Sequence, residues 1–134
     1  MKKVEHIGIA VKDLGNANVL VEQLFNQPHF KIEEVKSEGV TTSFFKLGET
    51  KIELLQASHP NSPIAKFIKN RGEGIHHIAF EVDNINAEMN RLLSEGFELI
   101  HTEAKEGADN KKICFLHPNS TSGVLIEICQ KKTS

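Results

Sequence analysis

The order of hydrophobic and polar residues repeats once along the chain. One stretch reads His6-Ile-Gly-Ile-Ala-Val11 and a later one reads His77-Ile-Ala-Phe-Glu-Val82, so a histidine, an isoleucine and a valine recur in register. Apolar residues in short runs of this kind are typical of strands. Self-similarity along a chain indicates that one structural unit is used twice.

The elements that follow each opening strand also repeat. Residues 14–25 and 85–95 carry apolar residues at helical spacing. Asp13 and Asp83 precede these runs and can cap the helices, and Gly96 is placed to end the second one. Three strand-like runs follow each helix, at 30–35, 40–47 and 51–56 in the first copy and at 97–102, 111–117 and 124–129 in the second. Each copy therefore reads strand, helix, strand, strand, strand.

A short helix is predicted between the two copies. Ser62 is suited to cap it and Pro63 to occupy its first turn, and the sequence Arg71-Gly-Glu-Gly74 then breaks it. We therefore expect an α+β fold in one domain over residues 1–134. Its parts are a βαβββ module over 1–58, a linking helix and loop over 59–73 and a second βαβββ module over 74–134. Modules this small bury little apolar surface alone, so we expect them to form one shared concave sheet.

The composition narrows the range of functions. The 134 residues carry a formal net charge of −2, which favours neither nucleic acid nor an acidic membrane surface as a partner. No apolar run is long enough to span a membrane, and no apolar signal-peptide core precedes the first strand. Cys114 and Cys129 lie in strand-like apolar runs, which is typical of small buried side chains in a reducing compartment. We therefore expect a cytoplasmic protein.

Four polar residues stand where a strand is expected to be apolar. His6 and His77 occupy equivalent positions in the two copies, and Glu53 and Glu127 do the same. Each of them alone is more typical of an ordinary core or surface residue than of a ligand. Because both pairs fall at matching repeat positions, and because a buried carboxylate needs a partner, we predict that the four residues together hold a metal ion.

The predicted ligand set has a definite chemistry. Two imidazole nitrogens and two carboxylate oxygens suit one divalent ion such as zinc, nickel, cobalt or manganese. Four protein ligands leave positions open for substrate oxygens, which is typical of a catalytic site. His76 competes with His77 for the role, but alternation along a strand places the two on opposite faces, and the repeat register selects His77.

Several ordered segments resemble the vicinal-oxygen-chelate superfamily, the glyoxalase/bleomycin-resistance group, and within it the methylmalonyl-CoA epimerases. The resemblance covers nearly the whole chain. The segments that carry it are His6-Ile-Gly-Ile-Ala-Val-Lys-Asp-Leu14, Thr50-Lys-Ile-Glu-Leu-Leu55, Ser62-Pro-Ile-Ala-Lys-Phe67, Gly72-Glu-Gly-Ile-His-His-Ile-Ala-Phe-Glu-Val82, Phe115-Leu-His-Pro118 and Gly123-Val-Leu-Ile-Glu-Ile128.

This resemblance implies a metal-dependent epimerase. The implied reaction is 1,1-proton transfer on methylmalonyl-CoA, a small acyl-CoA thioester, through a metal-stabilised enolate. The implied metal ligands are His6, Glu53, His77 and Glu127, with no organic cofactor. Glu127 is implied to act also as a catalytic base on one face of the substrate. The resemblance further implies a homodimer.

The chain also departs from the family pattern. Some epimerases carry a glutamate in the strand that here reads Val40-Thr-Thr-Ser-Phe-Phe45, so the second base is not located. Gln56 stands where an acidic residue or proline is frequent. Gly107-Ala-Asp-Asn110 replaces a glycine-rich turn, although Asp and Asn also adopt turn conformations.

The sequence is also compatible with two other functions. A glyoxalase-I-like lactoylglutathione lyase, or another isomerase or lyase of the superfamily, shares the fold and the metal ligands. It would need cations for the glutathione carboxylates, for which Lys46, Lys66, Lys69 and Arg71 are candidates. A non-enzymatic binding protein is less consistent with the sequence, since such members of the superfamily commonly lack the metal ligands.

Overall fold

The computed structural model describes residues 1–133 and contains eight strands and three α-helices in that range. The strands are β1 Lys3–Ala10, β2 Lys31–Val35, β3 Val40–Leu47, β4 Thr50–Ala57, β5 Gly74–Glu81, β6 Lys105–Gly107, β7 Lys111–Leu116 and β8 Ile126–Lys131. The helices are α1 Leu14–Phe25, α2 Pro63–Arg71 and α3 Ile85–Ser94. The order is that of two βαβββ copies joined by α2, which confirms the predicted α+β class.

The chain forms two compact units. One consists of Ile7–His76 and is called the first-repeat unit below. The other combines Met1–His6 with the chain from His77 onward and is called the second-repeat unit. The division of the sequence into modules 1–58 and 74–134 stays a prediction.

In the first-repeat unit, the strand order is β2-β3-β4-β1, and the β2–β3 and β3–β4 pairs are antiparallel. Helix α1 buries Leu14 against Phe45 and Leu54, which come from β3 and β4. Helix α2 buries Ile64 in a separate apolar cluster with Ala10, Val40 and Leu55. Successive strand residues point to opposite faces, so the unit has apolar packing on both faces of its sheet.

In the second-repeat unit, the strand order is β5-β8-β7-β6. Strand β8 runs parallel to β5 and antiparallel to β7, and β7 runs antiparallel to β6. Helix α3 buries Ile85, Met89 and Leu92 against Cys114 and Ile128. None of the helices within residues 1–133 is both long and apolar enough to span a membrane.

The helix starts show the repeat most clearly. The Asp13 carboxylate accepts a hydrogen bond of 3.0 Å from the Asn16 N–H, and the Asn84 side chain accepts one of 3.0 Å from the Ala87 N–H. Both are N-caps that pair otherwise unsatisfied backbone donors. The expectation of Asp83 as a cap was wrong, because the repeat register places Asn84, not Asp83, opposite Asp13.

Two predictions about strands and loops had different outcomes. Helix α2 begins at Pro63 with Ser62 as its cap, as predicted. The predicted strand at 97–102 was wrong, because only Leu99 forms an isolated bridge there, to Leu116. Phe97 and Leu99 pack against the α3 core, so the apolar spacing of this run reflects packing and not a continuous ladder.

Candidate metal centre

Two histidines meet in the interior of the second-repeat unit. His6 lies on β1 and His77 lies on β5, and both side chains are buried. Their Nε2 atoms are 3.0 Å apart, and the two rings meet edge to face with centroids separated by 5.1 Å. Because each imidazole presents the same nitrogen to the other, the pair is arranged around one point.

A carboxylate completes this cluster. Glu127 lies on β8, where the parallel pairing with β5 sets it opposite Ala79, and only 4% of the residue is exposed. Its Oε1 is 3.2 Å from His77 Nε2 and 3.6 Å from His6 Nε2. One ligand atom from each of the three residues thus lies within 4.8 Å of the others. The sequence predicted all three as ligands, and they lie together.

The cluster of His6, His77 and Glu127 has the dimensions of a divalent metal site. Atoms that each bind one ion at about 2.1 Å, at angles of roughly 90° to 109°, are about 3.0 to 3.4 Å apart. The observed separations of 3.0, 3.2 and 3.6 Å fall in or near this range. Two nitrogens and one oxygen form a borderline donor set, which suits zinc, cobalt, nickel or manganese.

The electrostatics of Glu127 favour its ionised form. Burial alone would raise the pKa of the carboxyl group, but the charge and hydrogen bonds of His6 and His77 outweigh it and hold the pKa well below its ordinary value. The carboxylate is therefore ionised at neutral pH and ready to bind a cation. For the same reason it is a weak base towards carbon acids.

His76 has different surroundings from its neighbour His77. Its ring packs edge to face on Phe67 of α2, with centroids 5.0 Å apart, within the first-repeat unit. Neighbouring residues of a strand point to opposite faces, which explains the difference. His77 instead packs against the His6 ring and against Phe115, whose centroid is 5.6 Å away.

Glu53, the fourth predicted ligand, belongs to the first-repeat unit. It lies on β4 between two aliphatic residues, and only 4% of it is exposed. In the β3–β4 ladder it pairs with Phe44, and Glu127 pairs with Phe115 in the β7–β8 ladder. The two glutamates are thus equivalent in strand, register and burial. The role of Glu53 as a ligand stays a prediction.

Two buried charged residues beside the cluster were missed by the sequence reasoning. Glu5 and Lys111 are 1% and 3% exposed. The Glu5 Oε1 accepts a hydrogen bond of 2.6 Å from His6 Nδ1–H, and Glu5 Oε2 lies 3.6 Å from Lys111 Nζ. A charge at the first positions of a strand usually indicates exposure. The one sequence feature that could have identified Glu5 is its position directly before a predicted ligand.

Comparison with known proteins agrees with this geometry. A family model described as the Glyoxalase/Bleomycin resistance protein/Dioxygenase superfamily matches residues 5–115. The mitochondrial methylmalonyl-CoA epimerase of Homo sapiens is 39% identical over 129 residues, which cover 96% of this chain and 73% of that protein. An ethylmalonyl-CoA/methylmalonyl-CoA epimerase of Cereibacter sphaeroides is 38% identical over 130 residues, which cover 96% of this chain and 97% of that protein.

A solved structure indicates the same family. A variant of Streptomyces coelicolor methylmalonyl-CoA epimerase, in complex with 2-nitronate-propionyl-CoA, superimposes with a TM-score of 0.95 at 27% identity. The match covers 99% of this chain and 96% of that one. The βαβββ repeat, the buried histidine and glutamate cluster and the family match agree: the chain belongs to the Glyoxalase/Bleomycin resistance protein/Dioxygenase superfamily, the vicinal-oxygen-chelate fold.

Proposed function

We propose that this protein is an epimerase that interconverts the two epimers of methylmalonyl-CoA by 1,1-proton transfer at the carbon between the thioester and the carboxylate. The observation that carries the proposal is the convergence of three buried ligand atoms, from His6, His77 and Glu127, in a chain whose relatives include proteins named as methylmalonyl-CoA epimerases. The substrate partner is therefore a small acyl-CoA thioester.

The proposed ligands of one divalent ion (cobalt, zinc, nickel or manganese) are His6, Glu53, His77 and Glu127. Glu53 is included because it occupies in its own repeat the strand and register position that Glu127 occupies in the other. When bound, a divalent ion supplies positive charge that lowers the free energy of an enolate relative to the thioester.

Glu127 is the proposed base on one face of the substrate. The α-proton would pass from carbon to a Glu127 carboxylate oxygen, leaving the electron pair in the enolate. Because its pKa lies well below the ordinary value, Glu127 is always available in the ionised form but gains little from accepting a proton. The developing enolate must therefore be stabilised strongly for this proton transfer to occur.

A second acid/base group is required on the opposite face. Strand β3 offers no carboxylate for this role, because Val40–Leu47 reads Val-Thr-Thr-Ser-Phe-Phe-Lys-Leu. Apolar packing beside the ligands has a separate role. Phe115 lies against the His77 ring. Apolar packing of this kind excludes water, which would otherwise screen the charges of the site.

The direct test is interconversion of the epimers. Purified protein, freed of ions with a chelator and reloaded with cobalt, should convert one epimer of methylmalonyl-CoA to an equal mixture of both, as followed by chiral chromatography. The chelated protein without ion should be inactive. Isomerisation of a glutathione hemithioacetal, with no action on the thioester, would favour the lyase function instead.

We also propose a homodimer, on the basis of helix α1. Val19, Leu20 and Leu24 are all exposed on its outer face, Leu20 to 66% and Leu24 to 74%. The equivalent helix α3 exposes one large apolar residue, Leu93. Several large apolar side chains exposed on one helix are typical of an interface with a partner, and the same helix of a second copy is its simplest match.

Sedimentation velocity tests this interface. The protein should sediment as a dimer, and the double variant Leu20→Glu with Leu24→Glu should sediment as a monomer, because two buried charges would disrupt an apolar contact. Leu93→Glu is the matched control and should stay dimeric. A double variant that remains dimeric would place the interface elsewhere.

A further inference from the structure

The second-repeat unit contains a buried ion pair that the proposed chemistry does not use. Glu5 and Lys111 are almost completely inaccessible, and the Lys111 Nζ atom also donates a hydrogen bond of 2.9 Å to Asp109 Oδ2. Burying charges costs free energy even when they are paired, and apolar residues of similar size often fill such positions with equal or greater stability. Stability alone therefore does not explain why this ion pair is buried.

The other repeat shows that the fold does not require a charge at this position. The residue equivalent to Lys111 is Val40, because each lies four positions before the phenylalanine that pairs with the glutamate of its repeat. Val40 is buried in an apolar cluster with Ala10, Leu55 and Ile64. The first-repeat unit thus fills this position with an aliphatic side chain, whereas the second-repeat unit, which contains His6, His77 and Glu127, buries a lysine there.

The contact between Glu5 and His6 fixes which nitrogen carries the proton. A carboxylate only accepts hydrogen bonds, so the 2.6 Å contact requires a proton on His6 Nδ1. In the neutral ring the lone pair is then on Nε2, the atom that faces His77 and Glu127. Carboxylate contacts of this kind hold metal-binding imidazoles in one tautomer and increase their basicity.

Lys111 is in turn held by the turn that precedes its strand. Asp109 and Asn110 adopt left-handed backbone conformations, with φ of 58° and 56°, between β6 and β7. The turn brings the Asp109 carboxylate onto Lys111 Nζ, which lies 3.6 Å from Glu5 Oε2. A chain of contacts therefore runs from Asp109 through Lys111 and Glu5 to His6.

We propose that Glu5 and Lys111 are positioning residues for His6: Glu5 holds the imidazole with its Nε2 lone pair directed at the ligand cluster, and Lys111 holds Glu5 in place. This inference rests on the proposed metal centre. The inference also connects the Gly107–Asn110 turn to the site. This turn is the one at which the chain departs from the glycine-rich pattern of the family.

The first readout is the affinity of the full-length protein for Zn²⁺ alone, measured by competition with a chromophoric chelator. Glu5→Gln should weaken binding about 10-fold or more, within the range typical of partners of metal ligands. Lys111→Met should also weaken it, but should have no further effect in the Glu5→Gln background, because Lys111 acts through Glu5. Lys112→Met, at the exposed neighbouring position of β7, is the control and should leave the affinity unchanged.

The second readout needs no metal ion. In ¹⁵N NMR of the imidazole nitrogens, His6 should be protonated at Nδ1 in the wild-type protein and should become a mixture of tautomers in Glu5→Gln.

If Lys111→Met alone does not fold, the Zn²⁺ affinity of the double variant, which buries no unpaired charge, is compared with that of Glu5→Gln. Equal affinities support the inference.

Three results would overturn it: an unchanged affinity and tautomer in Glu5→Gln, a His6 ring protonated at Nε2 in the wild type, or additive losses in the double variant. A wild-type protein that binds no Zn²⁺ would contradict the proposed metal centre. In that case the His6 tautomer and its response to Glu5→Gln alone decide the positioning role.

Discussion

Two adjacent histidines of one strand have different surroundings in this protein. His77 presents Nε2 to His6 at 3.0 Å and to Glu127 at 3.2 Å, whereas the His76 ring packs on Phe67. The residues have the same chemistry and nearly the same place in the sequence. The face of the strand is therefore the physical difference that assigns one of them to the candidate metal centre.

Substitution of these two histidines separates a ligand from a packing residue. His77→Ala should weaken binding of Zn²⁺ more than about 100-fold, because losses in the partners of ligands already cost 10- to 100-fold. His76→Ala should bind Zn²⁺ with unchanged affinity, although it loses its contact with Phe67. Equal effects of the two substitutions would contradict the assignment of His77 as a ligand.

At the scale of elements, the repeat fixes how each helix begins. The Leu14 N–H of α1 donates a hydrogen bond of 2.5 Å to Gln56 Oε1, and the Ile85 N–H of α3 donates one of 2.7 Å to Gln130 Oε1. Each glutamine is the second-last residue of a strand of its own repeat, β4 for Gln56 and β8 for Gln130. Gln56, a departure from the family pattern, thus has the same structural role as Gln130.

Removing one of these acceptors should destabilise the fold. Gln130→Met keeps the size of the side chain but leaves the Ile85 N–H unpaired at a buried helix start, which costs about 1 to 3 kcal/mol. Urea unfolding at neutral pH measures the loss in the free energy of unfolding. Asn90→Met, on the exposed side of α3, is the control and should change that free energy by less than about 0.5 kcal/mol.

The one strand that was wrongly predicted illustrates what periodicity leaves out. Phe97 and Leu99 alternate with polar residues as in a strand, but they serve as packing residues for α3. The ladder instead forms later, at Lys105–Gly107, where the register to Lys111 follows the left-handed turn at Asp109 and Asn110. Local alternation cannot distinguish an isolated bridge from a strand.

At the scale of the whole molecule, most of the fold could be predicted because the repeat gave every element a counterpart. The bounds of α1 and β3 match the prediction at both ends, and the other helices and most strands match within a few residues. The predicted cluster of His6, His77 and Glu127 came from the same symmetry. Glu5 and Lys111 could not be found that way, because their repeat counterparts are His76 and Val40, so symmetry gave no signal.

We propose that the buried ligands of this fold serve proton transfer on an acyl-CoA thioester. The most direct measurement is exchange of the α-proton of methylmalonyl-CoA with solvent in D₂O, followed by mass spectrometry. The cobalt-loaded protein should incorporate one deuterium at the α-carbon while the epimers interconvert, His76→Ala should do the same, and His77→Ala should not. Absence of exchange with every divalent ion tested, in protein that binds those ions, would contradict the proposed proton transfer.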